Sequence, residues 1–366
     1  VSSTHVLSQS PSAVFVHNGR LFFQGLGTGN EPWVTDGTAA GTMQLADIYA
    51  GNGYSAPYGW TSFANELWFT ARSATYGYEL WHSDGTPAGT RVIDVVPGSA
   101  GTTPSELEVW NGALWFAGRH PSDGVELWRS DGTLAGTTRV ADIRSGSSSS
   151  SPIQLTATGT ALVFAADDGV HGVEPFATYG SAATTSLLAD VAGTSAGSSI
   201  ERFASIRGTA YFTADDGASG VEPWVSDGTP AGTVLLRDTR PGPTSTSIGS
   251  FVPYRDAVWF AAAERIWRSD GTPGGTTIPL PALAVGTELA ATHERLLFAG
   301  PSLGLWSSDG TVANTALVMS FNVGFRPVPP QRLVSGGDVV WFLAGDGLFS
   351  PGGLWRSDGS LAGTVL

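Results

Sequence analysis

The chain contains no cysteine and no lysine. The first absence removes disulfides, thiolate metal sites and thiol catalysis together. The second leaves Arg as the only strongly basic residue, 18 of them against 32 acidic residues, for a formal net charge of -14. Such a field repels nucleic acid, and no basic stripe offsets it. A cation, a polar glycan or a basic protein suits it better. No apolar run is long enough to cross a bilayer. No basic, apolar leader opens the sequence at Val1, so we expect any export signal to have been removed or never to have existed. No phosphate-cradling Gly-Lys loop is present.

What is abundant is glycine, 49 residues, together with Ser, Thr and 13 Trp. That composition suits short strands and many turns. A twelve-residue string also recurs eight times: EPWVTDGTAAGT (31–42), ELWHSDGTPAGT (79–90), ELWRSDGTLAGT (126–137), EPFATYGSAATT (174–185), EPWVSDGTPAGT (222–233), RIWRSDGTPGGT (265–276), GLWSSDGTVANT (304–315) and GLWRSDGSLAGT (353–364). The copies start 48, 47, 48, 48, 43, 39 and 49 residues apart. A period of this size marks stacked supersecondary units, none of which buries its apolar face alone.

The third unit shows the pattern most plainly. ELEVW (106–110) and ALWFAG (113–118) flank Asn111-Gly112, the strongest short signal for a hairpin, since both residues tolerate positive φ. VELWRS (125–130) reads as a third strand, Asp131-Gly132-Thr133 as the next reversal and TTRVADI (137–143) as a fourth strand. A four-stranded meander is the blade of a β-propeller. Phe23, Phe69, Phe116, Phe164, Phe212, Phe260, Phe298 and Phe342 hold one position in the second strand of all eight units. The third strand carries Trp in seven units and Phe176 in the fourth. We therefore expect one all-β domain over 1–366, an eight-bladed β-propeller of four-stranded antiparallel blades, its ring closed by residues 4–8 of the N-terminal segment.

The recurring string resembles the ELWxxDGT repeat family of bacterial, often myxobacterial, exported and cell-surface proteins. Glu126, Leu127, Trp128, Asp131, Gly132, Thr133, Gly136 and Thr137 carry the resemblance, with their counterparts in the other units. It implies a propeller-like exported protein, extracellular or at the cell surface, and little about activity. Unit four departs most, with Tyr179-Gly180-Ser181 in place of Asp-Gly-Thr.

The Asp-Gly-Thr string itself reads as turn chemistry: Asp accepts turn N–H bonds and Gly adopts positive φ. The opposite edge of each unit is more informative. Glu31, Glu79, Glu126, Glu174 and Glu222 open the third strand in units one to five, and Asp47, Asp94, Asp142, Asp190 and Asp238 close the fourth. Units four and five add Asp167-Asp168-Gly169 and Asp215-Asp216-Gly217 in the preceding loop. Paired carboxylates repel unless a cation, a proton or hydrogen-bond donors intervene. Two readings follow: the acids cap loop N–H groups, or they bind Ca²⁺, which takes six to eight oxygen ligands. The candidate metal ligands are Asp167, Asp168, Glu174 and Asp190, and Asp215, Asp216, Glu222 and Asp238.

Trp60 and Trp110 stand outside the repeated aromatic positions and are candidate ligand platforms or covers for the blade beneath. His171, flanked by Asp168 and Glu174, is the best candidate for a base or ligand among six His. Gly193-Thr194-Ser195-Ala196-Gly197 matches the nucleophile-elbow string but has no helix after it. No catalytic residue is assigned. The expected function is a non-enzymatic exported scaffold whose loop face engages a glycan or protein partner, without nucleic acid or a membrane span. The alternative is a secreted propeller hydrolase or lyase with its site in an axial funnel.

Overall fold

The structure, a computed structural model, describes residues 12–25, 29–51, 53–280, 283–321, 328–345 and 352–366. Among them are eight antiparallel sheets, each formed by strands in sequence order. Six have four strands; in the sixth and eighth, single bridges (Arg268 with Thr277, Arg356 with Val365) stand where a fourth strand begins. The chain divides into two compact units. The first, Val1–Asp190 with Thr194–Gly197, holds sheets one to four; the second, Val191–Gly193 with Ser198–Leu366, holds sheets five to eight. Residues 4–8, expected to complete the last blade, lie outside the described residues.

Sheet three comprises Ser105–Trp110, Ala113–His120, Gly124–Ser130 and Thr138–Ala141. Its first hairpin turns through Asn111 and Gly112 at φ 48° and 71°, the positive values that the sequence anticipates. In every sheet the second-strand Phe stands directly opposite the third-strand aromatic, as Phe116 does opposite Trp128. All eight Phe residues are at most 1% exposed.

Alternation along the strands then decides how sheets stack. Within the first unit, Phe116 and Trp128 of sheet three pack on Trp68 and Leu80 of sheet two. Phe164 and Phe176 of sheet four pack likewise on Trp115 and Leu127 of sheet three. The second unit repeats this: Phe260 and Trp267 lie on Tyr211 and Val225, and Phe342 with Trp355 on Leu297 and Leu305. The Phe face of one sheet thus covers the opposite face of its predecessor. First strands of successive sheets also lie side by side, as Tyr58–Phe63 lies by Ser105–Trp110.

The motif turn is a small hydrogen-bond lattice. Asp131 Oδ1 accepts the Thr133 N–H and hydroxyl (2.9 and 2.8 Å), and the Gly136 N–H donates to Thr133 Oγ1 at 2.9 Å. These bonds, the hydroxyl of Thr133 foremost, hold the Asp131 carboxyl below the usual carboxylate range. A Cβ on Gly136 would overlap the Asp131 carboxylate, which accounts for the glycine. In unit seven Asn314 stands there instead, and its amide donates to Asp309 Oδ2 at 2.8 Å.

Beneath this lattice lies a second pair that is present in all eight units. Ser130 Oγ and Thr137 Oγ1 are 2.7 Å apart, and Ser130 also accepts the Gly132 N–H at 3.0 Å. The counterparts run from Thr35 with Thr42 to Ser357 with Thr364, and include Thr178 with Thr185 in the divergent unit four. Ser130→Ala would leave the part-buried Gly132 N–H without its acceptor and take one bond from Thr137, whose hydroxyl still donates to Thr133 O at 2.6 Å, an expected loss of about 1 kcal/mol. Denaturant unfolding should register that loss, and Ser130→Thr, the choice made at Thr35 and Thr178, should restore most of it.

Candidate functional site

The edge opposite the motif turns is organised by the third-strand Glu. All five are at most 1% exposed. Glu31 accepts the N–H groups of Ile48 and Tyr49 (2.8 and 3.3 Å). Glu79 accepts those of Val96 and Thr102 and the Thr102 hydroxyl (3.3, 2.9 and 3.0 Å). Glu126 accepts from Ile143 N, Ser150 N and Ser150 Oγ (2.9, 3.0 and 2.6 Å). Glu222 accepts from Thr239 N and Oγ1 (2.9 and 2.7 Å). These carboxylates therefore fasten the connection that leaves each sheet. Thr102 and Ser150, a hydroxyl residue just before the next sheet, were not singled out from the sequence. Their signal is a Ser or Thr 14 residues before the second-strand Phe of sheets two to six: Ser55, Thr102, Ser150, Ser198 and Thr246.

The companion Asp residues lie close enough to act electrostatically. Burial pushes Glu31 and Glu222 up, and the charges of Asp47 and Asp238 add to it. Burial pushes Glu79 up to about 7, with Asp94 adding to the rise against the hydrogen bonds from Thr102 and Val96. In two sheets the pair is not fully satisfied: Glu79 Oε2 with Asp94 Oδ1, and Glu222 Oε1 with Asp238 Oδ1, are buried oxygens with no hydrogen-bond partner. Asp142 instead lies 3.6 Å from Arg139.

The acidic loops of units four and five are turns closed on themselves. Asp167 pairs with Arg144 and accepts the Gly169 N–H at 2.7 Å. Asp168 accepts the N–H groups of Val170 and His171 (2.8 and 2.9 Å) and meets His171 Nδ1 at 2.7 Å. Burial pushes Asp168 upward, but the His171 backbone and ring and the Val170 N–H outweigh it and hold the carboxyl low. His171 is raised by that same bond, against burial, and by the charges of Asp168, Asp190 and Glu174. Asp215 accepts the Gly217 N–H at 2.8 Å, and Asp216 those of Ala218 and Ser219 (2.9 and 2.6 Å). Among the described residues no group of three or more His, Asp or Glu is arranged around a metal position.

The two extra Trp residues take packing positions. Trp110 ends a first strand, as the run 106–110 anticipates; it is 8% exposed in the core between sheets three and four, and its carbonyl accepts the Trp115 indole N–H at 3.0 Å. Trp60 belongs to the strand Tyr58–Phe63, not to a connection, and stacks on Phe69 with centroids 4.7 Å apart. Neither is an open platform, because each packs on the aromatic core of its own sheet. The nucleophile-elbow string lies beside the Asp168–His171 pair: the backbone of Ser195–Gly197 packs against Gly172.

The more open features of this edge lie in the second unit. Cavities of about 290 and 450 Å³ share Ser245, Thr246 and Ser247, in the connection between sheets five and six.

No family model matches the sequence, and no characterised protein matches it by sequence. Solved structures similar to it include a prolyl endopeptidase (14% identity, TM-score 0.48, 92% of this chain and 54% of that one) and a puromycin hydrolase (12%, 0.46, 91% and 58%). BamB from Moraxella catarrhalis is a third (11%, 0.43, 93% of both chains). The chain spans between half and two thirds of the length of the first two, and none of these likenesses carries an activity to it.

Raised in the folded state, Glu79 makes stability depend on pH. Its contribution is complete below the ordinary value of 4.5 and is lost as pH climbs through about 7. Melting temperature should therefore fall between those values in the wild type. Glu79→Gln, neutral throughout, should remove that part of the slope; an unchanged slope would show that Glu79 is not the titrating group.

Proposed function

We propose that the eight sheets are the blades of a β-propeller and that the protein is an exported, non-enzymatic binding scaffold whose loop edge engages a glycan or protein partner. One observation carries the reading: buried Glu residues fasten the loop connections from inside in unit after unit. Loops held this way lose little further freedom on binding, which is what a recognition surface needs. The acidic charge and the resemblance to an exported repeat family support the setting at the cell surface or outside the cell. Purified chain should retain a surface polysaccharide or protein and release it chemically unaltered. Turnover of the retained partner would overturn the scaffold reading.

Calcium at sheets four and five belongs to the same proposal, and at sheet five the unpaired oxygens of Glu222 and Asp238 support it. Saturating ion stabilises a folded site by about 2.7 kcal/mol at a hundredfold excess over Kd. Melting temperature should then rise with millimolar Ca²⁺ and fall with chelator, and Asp168→Ala should blunt the response. A melting curve indifferent to both additions ends this part of the reading.

A specific observation favours a second reading, a hydrolase. The Asp168–His171 pair is half-exposed and stands next to the backbone of the Ser195 loop. In that case a fluorophosphonate probe labels Ser195 in the native chain and fails to label it in His171→Gln.

A further inference from the structure

Sheet five departs from its predecessors at one place. In sheets two and three the residue that leads into the next sheet reaches the buried Glu by both N–H and hydroxyl, as Thr102 and Ser150 do. Glu222 keeps the counterpart of the Val96 and Ile143 bonds, from the Thr239 N–H, and adds the Thr239 hydroxyl, but Thr246, the counterpart of Thr102 and Ser150, places its hydroxyl 3.3 Å from that of Thr239 and leaves Glu222 Oε1 without a partner. A second contact is lost alongside. Thr70 of sheet two donates its hydroxyl to Pro104 O at 2.9 Å, whereas the equivalent Thr213, 2% exposed, has no partner for its own. The connection still touches the sheet at Ser245, whose hydroxyl accepts the Val221 N–H at 3.1 Å, and a cavity of about 290 Å³ lies beside it.

The cavity is lined by Glu201, Arg202, Thr213, Val221 and Ser245–Ile248. Across the same three residues, Ser245, Thr246 and Ser247, a second cavity of about 450 Å³ continues past Arg240, Ala261–Glu264 and Val285–Thr287. The connections are pinned: Gly249 N–H donates to Ala261 O at 2.8 Å, Gly286 N–H to Ala299 O at 3.2 Å and Val285 N–H to Glu264 O at 3.1 Å. Both volumes approach or fall within the range of small-ligand sites, about 300–1,000 Å³.

We propose that this cleft over sheets five to seven binds a neutral oligosaccharide. The inference rests on the scaffold reading above and names its ligand. Two Arg (Arg202, Arg240) and two Glu (Glu201, Glu264) stand among the lining residues, a balance that gives the site no net formal charge. Hydroxyls of Thr213, Ser245, Thr246, Ser247 and Thr287 each donate and accept, matching the hydroxyl groups of a sugar. Val221, Ile248, Ala261 and Val285 supply apolar wall for the C–H faces. Thr213 decides the matter: a buried hydroxyl without a partner costs stability unless a ligand oxygen completes it.

The test is affinity electrophoresis and calorimetry of the whole chain with laminarin, xylan and galactomannan, with polygalacturonate as the acidic comparison. At least one neutral polymer should bind and polygalacturonate should not. Thr213→Val and Arg202→Ala should each weaken binding about five- to tenfold, the size of one lost hydrogen bond. Thr213→Ser keeps the hydroxyl and should keep the affinity; Leu134→Ser, on an exposed turn of the first unit, should match the wild type. Failure of every neutral polymer, or binding untouched by both cleft substitutions, overturns the assignment. Mass analysis of the recovered polymer separates the two claims: shortened chains overturn the non-enzymatic scaffold while a Thr213→Val binding defect still locates the cleft.

Discussion

The cross-strand pair of Phe and Trp fixes everything else in each repeat. With Phe116 opposite Trp128, the third strand has only one register, and strand alternation puts Glu126, Trp128 and Ser130 on the same face. That face therefore carries three jobs along its length. The carboxylate holds the loops at one edge, the aromatic packs on the neighbouring sheet in the middle, and the hydroxyl holds the turn at the other edge. A slip of one residue would turn all three outward together. Burying one such aromatic is worth about 1.5–3 kcal/mol, so the two polar ends are carried into the interior by the apolar middle.

Much of this was legible in the residues because it is local. The Phe row, the Asn111-Gly112 turn and the third-strand aromatic follow from strand period and turn chemistry alone. The Ser and Thr under each turn were equally visible, seven residues apart in every copy, yet the adjoining Asp-Gly-Thr drew the attention. They outlast it in unit four, where the Asp is gone and the hydroxyl pair remains. Of the two roles expected for Trp60 and Trp110, the structure shows the cover and not the platform, and the strand through Trp60 runs where Pro and Gly suggested a connection. The cleft was not legible at all. Its lining comes from segments distant in the chain, and the contact that Thr213 lacks and its counterpart Thr70 makes leaves no local pattern.

The repeats are not equal at the loop edge. Arg265, Gly304 and Gly353 replace the Glu in units six to eight, and other bonds take over there. The Glu264 carbonyl accepts the Val285 N–H, and Glu288 accepts the Leu333 N–H at 3.1 Å. The turn edge, by contrast, stays nearly uniform from first unit to last. One edge is thus held constant by its own short-range lattice, which frees the other to vary in sequence.

Because the Phe face of each sheet meets the same kind of surface on its predecessor, every such junction within a unit accepts either neighbour. Recombination that drops or duplicates one whole repeat joins faces that already match. Gene duplication can therefore lengthen such a chain, and deletion shorten it, without inventing a new interface. The number of repeats is open to selection in a way that the repeat itself is not.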